Sequence, residues 1–143
     1  MEAVIFVGVQ GSGKSSFYRE HFSDTHLRIN LDMLKTRHRE RLLFEACLAA
    51  KQSFVVDNTN PLASDRARYV APARAAGFRV VAYFFATPLQ EALRRNNLRK
   101  FKQKIPAVGV AGTFRKLQPP ALEEGFDEIH TVELTPEDQF IVT

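Results

Sequence analysis

The sequence has a single cysteine, no long apolar run and no repeated or low-complexity tract. Cys47 alone cannot form an internal disulfide, which favours a reducing, cytoplasmic setting. No apolar stretch approaches the roughly 20 residues of a membrane-spanning helix. A predicted strand begins directly at the N-terminus, so we expect neither membrane association nor a signal peptide. The length of 143 residues predicts one domain that covers 1–143.

Acidic residues are scarce in most of the chain. Residues 123–143 hold seven acidic side chains and no lysine or arginine, whereas residues 1–122 carry 20 basic and nine acidic side chains. A basic body of this kind suits a polyanionic partner such as nucleic acid. The alternative is that lysine and arginine only solvate the surface, and charge alone does not decide between the two.

What the sequence does have is a phosphate-binding pattern, G-x-x-x-x-G-K-S, at residues 8–15. Its glycines permit the torsions and the close approach with which such a loop turns its N–H groups toward anionic oxygens. Lys14 would reach the outer phosphates, and the Ser15 hydroxyl would ligate Mg²⁺. An apolar run at 3–7 and a helix-like segment at 14–21 flank the loop, which argues against a chance glycine-rich turn. The residues predicted to bind the nucleotide are Gly8, Gly11, Ser12, Gly13, Lys14, Ser15, Ser16 and Arg95.

Strand-like and helix-like segments alternate along the rest of the chain. The pattern predicts strands at 3–7, 26–31, 54–57, 78–85 and, weakly, 126–134, with helices at 14–21, 33–50, 61–76, 89–104 and 108–117. Pro72 should kink or interrupt the helix at 61–76. This alternation implies right-handed crossovers and a parallel sheet of about five strands flanked by helices. Together with the phosphate loop it predicts an α/β P-loop NTPase fold.

Two acidic residues directly follow predicted strands. Ligands of open parallel sheets bind at the carboxyl ends of the strands, so Gly8, Asp32 and Asp57 should open on the same edge. Asp57 is expected to bind Mg²⁺ together with Ser15, and a turn-forming aspartate is the less favoured alternative. Asp32 is either a general base that accepts a proton from an attacking hydroxyl or the N-cap of the next helix, and the pattern favours neither.

A second charge pattern is the basic run at 94–104, which contains no acidic residue. Like charges at helical spacing repel each other, so a solvated helix face is less favoured than a basic lid, at about 94–106, over bound phosphates. One of its arginines would stabilise the charge that develops during phosphoryl transfer. The cations of the run are Arg94, Arg95, Arg99, Lys100, Lys102 and Lys104.

These residues resemble the kinase domain of polynucleotide 5′-hydroxyl kinases, and most closely the kinase half of the polynucleotide kinase-phosphatases of DNA end repair. The similarity extends from residue 4 to about residue 134. It is carried by G-S-G-K-S at 11–15, V-V-D-N-T-N-P at 55–61, D-R-A-R-Y at 65–69, R-N-N-L-R at 95–99 and F-R-K-L-Q-P-P-A-L-E-E-G-F at 114–126. The motifs at 57–61 and 119–126 are far more specific than the phosphate loop.

The resemblance implies that the chain transfers the γ-phosphate of ATP to the 5′-hydroxyl of DNA or RNA, with Mg²⁺ as cofactor and nucleic-acid 5′-OH ends as partner. It implies that Asp32 activates the hydroxyl, and that Lys14 and Arg99 are the other catalytic residues. The residues expected to contact the substrate are Lys35, Arg39, Asn58, Thr59, Arg66 and Arg68.

Two positions depart from the family pattern. Leu31 stands where many relatives have arginine, and Lys35 stands where phage-type relatives have arginine, which is not equivalent to lysine at a bidentate phosphate site. Two other functions also fit the sequence. One is a small-molecule kinase of the same fold, acting on a sugar, nucleoside or antibiotic, which the basic flank at 35–41 disfavours. The other is an ATP-dependent switch, which would not need both Asp32 and Arg99. No Asp-x-Asp-x-Thr phosphatase motif is present.

Overall fold

The computed structural model describes residues 1–99 and 105–143. Within these residues, six strands form one sheet in the order β2-β3-β1-β4-β5-β6. The strands are β1 Glu2–Val7, β2 Leu27–Ile29, β3 Phe54–Val56, β4 Arg79–Phe85, β5 Glu128–Leu134 and β6 Phe140–Val142. The first five strands pair in parallel, which confirms the predicted sheet. β6 is an additional antiparallel edge strand that the sequence pattern did not predict.

The apolar run near the N-terminus forms the central strand, β1. It pairs with β3 on one side and with β4 on the other, so that Val4 lies opposite both Val55 and Val81. Residues 3–7 are all 0% exposed. Because both faces of a parallel sheet are covered by helices, a central strand has to be apolar at successive positions and not only at alternate ones.

Helices cover the two faces of the sheet with separate apolar clusters. The helices are α1 Lys14–His21, α2 Leu31–Leu34, α3 Arg37–Ala50, α4 Ala63–Ala75, α5 Leu89–Asn97 and α6 Ala107–Lys116. Successive residues of β1 point to opposite faces. Phe6 therefore packs with Phe17 of α1, whereas Ile5 belongs to the cluster that contains Phe44 of α3 and Tyr69 of α4. None of the helices within the described ranges is both long and apolar enough to cross a bilayer.

The predicted helix at 33–50 is in fact two helices, α2 and α3. Lys35 has a φ of 76°, in the left-handed region, and ends α2. Thr36 then caps α3, because its hydroxyl accepts a hydrogen bond from the N–H of Arg39 at 3.1 Å. The break separates α2, whose first turn contains Asp32, from the longer helix α3, so the two helices need not share one axis.

Helix α4 continues through Pro72, so the predicted interruption does not occur. One side of this helix is buried against the sheet through Tyr69, Val70 and Ala73. Burying a large apolar side chain contributes roughly 1.5–3 kcal/mol. Burial of two such side chains, Tyr69 and Val70, therefore matches or outweighs the roughly 3 kcal/mol that proline costs in a helix interior.

Candidate functional site

The carboxyl ends of β1, β2 and β3 open into one cleft of about 490 Å³. The phosphate loop and the segment after β3 are joined directly, since the N–H of Gly8 donates to the carbonyl oxygen of Thr59 at 3.0 Å. The predicted site residues that line the cleft are Gly11, Gly13, Lys14, Ser15, Ser16, Asp32, Asp57, Asn58, Thr59, Arg95 and Arg99. The structure therefore brings the phosphate loop, both aspartates and two arginines of the basic run around one space.

Two glycines give the phosphate loop its shape. Gly11 and Gly13 have φ values of 80° and 96°, a region that other residues rarely adopt. A Cβ at Gly11 would lie 2.5 Å from the carbonyl oxygen of Ala92 on α5. The loop therefore packs directly against α5, and α1 begins immediately after Gly13 with its first N–H groups at the cleft.

Lys14 is nearly buried at the base of the cleft. Its Nζ donates to the carbonyl oxygens of Gly8, at 3.1 Å, and Val9, at 2.8 Å. Burial lowers the pKa of Lys14 from 10.5 to about 8; Asp57 and Asp32 raise this pKa and Arg99 lowers it. Gly8 and Ser12, both predicted to bind the nucleotide, lie behind the cleft wall, where Gly8 orients Lys14 through its carbonyl and Ser12 is 1% exposed.

The predicted metal ligands, Ser15 and Asp57, lie side by side. The Ser15 hydroxyl donates to Asp57 Oδ2 at 3.1 Å. A hydroxyl and a carboxylate are hard oxygen donors of the kind that Mg²⁺ takes in nucleotide-binding proteins, where water and phosphate oxygens complete the coordination. The donor set at the end of β3 therefore fits magnesium.

Arg28 of β2, which was not among the predicted site residues, contacts both of these residues. Its Nε donates to Asp57 Oδ2 at 2.8 Å, and its Nη2 donates to the Ser15 hydroxyl at 2.9 Å. The Asp57 side chain is 1% exposed and that of Arg28 is 28% exposed. A cation between two apolar residues of a short strand was the available signal, because helices cover both faces of a parallel sheet.

Asp32 lies in the first turn of α2, is exposed and lines the cleft. The helix is capped by Asn30, whose Oδ1 accepts from the N–H of Met33 at 2.9 Å. The N-cap alternative for Asp32 was therefore wrong. Asn30 also donates through Nδ2 to the carbonyl oxygen of Asp57 at 2.6 Å, which ties the ends of β2 and β3 together.

Asn58 holds the start of α2 through a buried polar network. Its Oδ1 accepts from the N–H of Leu31 at 2.9 Å, and its Nδ2 donates to Glu40 at 2.9 Å. Glu40 is 3% exposed and also accepts from Tyr69 and Arg37, each at 2.8 Å. Burial and the hydrogen bond to Glu40 raise the pKa of Tyr69 to about 12. The network positions the residue that precedes Asp32.

The basic run is divided between the cleft and its surroundings. Arg99 and Arg95 line the cleft. Arg95 also pairs with Asp138, in the turn before β6, and with Glu91 at 3.2 Å. Arg94 pairs with Glu91 outside the cleft. The other cations of the predicted lid, Lys100, Lys102 and Lys104, lie outside the described residues.

The residues expected to contact the substrate do not form one group. Lys35 lines a second cavity beside the cleft. Arg39 on α3 and Arg68 on α4 are exposed and line neither space. Arg37, which was not predicted, lines the cleft instead, and so does Lys116 of α6.

Arg66 is corrected from a substrate contact to a buried structural residue. Its side chain is 0% exposed and forms a two-pronged ion pair with Glu124, in which Nε and Nη2 each donate at 2.8 Å. Its Nη1 donates to the carbonyl oxygens of Asn60, Pro61 and Gln118. All three nitrogens of the guanidinium thus donate to acceptors within the protein, and the contact joins the motif at 65–69 to the motif at 119–126.

The parallel sheet with its central β1, the phosphate loop with its two glycines in the left-handed region and the carboxylate at the end of β3 define a P-loop nucleotide-binding fold. The sequence matches the family model described as "AAA domain" over residues 4–118. The chain belongs to this family.

Comparison with individual proteins gives two relatives of the same description. The bifunctional polynucleotide phosphatase/kinase of Schizosaccharomyces pombe is 26% identical over 136 residues. A protein of Acanthamoeba polyphaga mimivirus that is named for the same two activities is 33% identical over 138 residues. Both comparisons cover 92% of this chain and 33% of the relative, so the chain spans about a third of the length of these relatives.

The fold is also similar to that of a solved small-molecule kinase. A gluconokinase from Sinorhizobium meliloti 1021 superposes with a TM-score of 0.61 at 18% identity, over 92% of this chain and 82% of the gluconokinase chain. At this identity the similarity concerns the fold alone.

Proposed function

We propose that the chain transfers the γ-phosphate of ATP to the 5′-hydroxyl end of a DNA or RNA strand. The observation that carries this proposal is the position of Asp32, an exposed carboxylate that lines both the cleft and the second cavity. The second cavity measures about 870 Å³, and its lining includes Arg19, Arg28, Lys35 and Arg99. A triphosphate on the loop side and a polyanionic strand on the other side would both face this carboxylate.

The chain's own side chains supply the base and the positive charge for the transfer. Asp32 accepts the proton of the 5′-hydroxyl as the hydroxyl oxygen attacks the γ-phosphorus. The bond between that phosphorus and the β–γ bridging oxygen breaks, and ADP leaves. Lys14 and Arg99 face the space in which negative charge develops, and their fixed positions stabilise it more effectively than water does.

Ser15 and Asp57 would hold a magnesium ion at the base of the cleft. Bound there, the ion would neutralise phosphate charge and orient the outer phosphates for transfer. Gly11 and Gly13 in the loop and Ser16 in the first turn of α1 would contribute N–H groups for the phosphate oxygens. Arg95, on the neighbouring wall, would contact the nucleotide.

The acceptor strand would lie along the second cavity and the surface beyond it. Lys35 lines this cavity, and Arg39 is exposed in the first turn of α3. Cations at such positions contact phosphate groups and position a strand without reading its bases. The names of the two relatives of the chain, which pair a polynucleotide phosphatase with a kinase, support a polynucleotide as the acceptor.

A small-molecule kinase is the second candidate, because the fold is shared with a gluconokinase. The two candidates differ in what they require beside Asp32. A sugar needs a closed pocket with a few hydrogen-bonding groups. Among the described residues, the lining of the second cavity instead includes four cations and one carboxylate, Asp32, which favours a polyanion.

The direct test is to incubate the protein with γ-labelled ATP and Mg²⁺ and to offer 5′-OH DNA, 5′-OH RNA, gluconate and a panel of nucleosides and sugars separately. We expect label on the oligonucleotides only. Affinity for the oligonucleotide should fall steeply with added salt, because phosphate contacts release counterions. Transfer to gluconate or another small alcohol, with none to the oligonucleotides, would refute the proposed acceptor.

The Asp32→Asn variant tests the base while it preserves the size of the side chain. We expect ATP affinity to change little and transfer to fall by about two to four orders of magnitude, since the amide cannot accept the proton. Asp24→Asn, which changes an exposed aspartate outside both cavities, is the matched control and should keep full transfer. Loss of ATP binding in Asp32→Asn would instead show that Asp32 supports the structure of the site.

A further inference from the structure

The contacts of Arg28 engage two atoms that a metal ion would use, Asp57 Oδ2 and the Ser15 hydroxyl oxygen. Asp57 Oδ2 accepts from both the Ser15 hydroxyl, at 3.1 Å, and Arg28 Nε, at 2.8 Å. A carboxylate oxygen has two lone-pair positions, so these two donors take both of them. Arg28 Nη2 also donates to the Ser15 hydroxyl at 2.9 Å, which engages the second predicted ligand.

The charge around this carboxylate is already balanced by the protein. Asp57 is 1% exposed and forms a charge-assisted contact with Arg28, and the ammonium of Lys14 lies in the same cleft. The carboxylate therefore has one directly paired cation and a second positive charge in the same cleft. A free divalent ion that bound Asp57 Oδ2 would have to displace the guanidinium and would be repelled by the second positive charge.

We propose that Arg28 guards the metal position: it holds Asp57 and Ser15 until the nucleotide arrives, so that Mg²⁺ binds together with the phosphates and not alone. This inference rests on the proposed function in one respect, namely that Ser15 and Asp57 are the metal ligands. The phosphates add negative charge to a cleft in which the carboxylate of Asp57 is already paired. They make the exchange of a guanidinium for a divalent ion favourable.

Arg28 has a place to move when it releases Asp57. Its side chain is 28% exposed and lines the second cavity, together with Asp32 and Ser16. Its guanidinium carbon lies 5.9 Å from the centre of the Tyr18 ring, a cation–π contact on the wall of β2. Movement into the second cavity would therefore keep the guanidinium near the Tyr18 ring while it releases Asp57.

The test is to titrate Mn²⁺, a spectroscopically visible substitute for Mg²⁺, into the wild type, Arg28→Gln and Asp57→Asn, each with and without ADP. We expect the wild type to bind Mn²⁺ weakly without ADP. Arg28→Gln should bind it about tenfold more tightly or better, because the carboxylate is released from a charge-assisted ion pair. The gain should disappear in the double variant Arg28→Gln with Asp57→Asn. Arg79→Gln removes another arginine–carboxylate pair, with Glu128 on β5, and should leave Mn²⁺ affinity unchanged.

The possible outcomes separate this inference from the proposed function. If Arg28→Gln binds Mn²⁺ no better than the wild type without ADP, Arg28 does not hinder metal binding at this site. Weaker Mn²⁺ binding by Asp57→Asn with ADP would still support Ser15 and Asp57 as the metal ligands. If Asp57→Asn has no effect with ADP, both statements are refuted. Arg28→Lys provides a second variant should the glutamine variant not fold. An ammonium cannot bridge Ser15 and Asp57 as the forked guanidinium does, so we expect an intermediate affinity.

Discussion

The buried ammonium of Lys14 leads to a quantitative prediction about nucleotide binding and pH. In the free protein, burial lowers the pKa of Lys14 to about 8. A bound triphosphate places several negative charges beside the ammonium and should return this pKa toward its ordinary value. At pH values at which Lys14 is partly deprotonated in the free protein, nucleotide binding is therefore expected to take up a proton from solvent.

The expected proton uptake follows from the pKa alone. The neutral fraction of a group with a pKa of about 8 is about 0.1 at pH 7, about 0.5 at pH 8 and about 0.9 at pH 9. These fractions are the number of protons taken up per nucleotide bound. Since the phosphates favour the charged form, affinity should fall by about tenfold between pH 7 and pH 9.

The assay is isothermal titration calorimetry with ADP at these three pH values, each in two buffers that differ in ionisation enthalpy. The difference in the observed heat between the buffers gives the proton uptake directly. Lys14→Arg is the matched variant, because a guanidinium stays charged throughout this range. It should show no proton uptake attributable to the loop and little change of affinity with pH.

Heats at pH 8 that do not depend on the buffer would refute the reasoning, since they would mean that Lys14 is fully charged in the free protein. The same shift has a consequence for folding. The folded pKa lies below the unfolded value of 10.5, so the unfolded chain binds more protons between pH 8 and 10.5. Within this window the free energy of unfolding rises with pH. Below pH 8 the buried ammonium of Lys14 lowers the free energy of unfolding by its full amount.

Two further predictions concern residues whose roles the structure separates. Glu124→Gln should lower the free energy of unfolding by about 3–5 kcal/mol in urea denaturation, because Arg66 stays buried without its charged partner. Glu123→Gln, at an exposed neighbouring position, should change the free energy of unfolding by less than about 0.5 kcal/mol. Equal effects of the two substitutions would contradict the structural role of Arg66. Arg99→Ala should reduce turnover on the oligonucleotide by about a thousandfold with little change in ADP affinity, and an unchanged rate would transfer the stabilising role to Arg95.

The sequence predicted the features that depend on short stretches of chain. The phosphate loop and β1 were predictable because a glycine pattern and a run of apolar residues specify them locally. Asp57 could be placed at the cleft because parallel strands end on one edge. The break between α2 and α3 was not predictable, because it depends on Lys35 adopting a left-handed torsion that favours glycine.

Residues whose partners lie far along the chain were missed or assigned wrongly. Arg66 was expected on the substrate side because its motif resembles that of the polynucleotide kinases. Its true partner, Glu124, is 58 residues away. Glu40 reaches Asn58 across 18 residues, and Arg28 reaches Asp57 across 29. No periodicity connects such positions, so only the three-dimensional packing reveals that they share a network.

The edge strand β6 joins the end of the chain to the first loop. A Cβ on Gly13 would lie 3.0 Å from a side-chain carbon of Leu134 and 3.1 Å from one of Phe140, so both side chains pack against the phosphate loop. Asp138, in the turn before β6, pairs with Arg95 on the wall of the cleft. Substitutions in the acidic C-terminal segment are therefore expected to change the affinity for the nucleotide, although they lie more than a hundred positions from the phosphate loop in sequence.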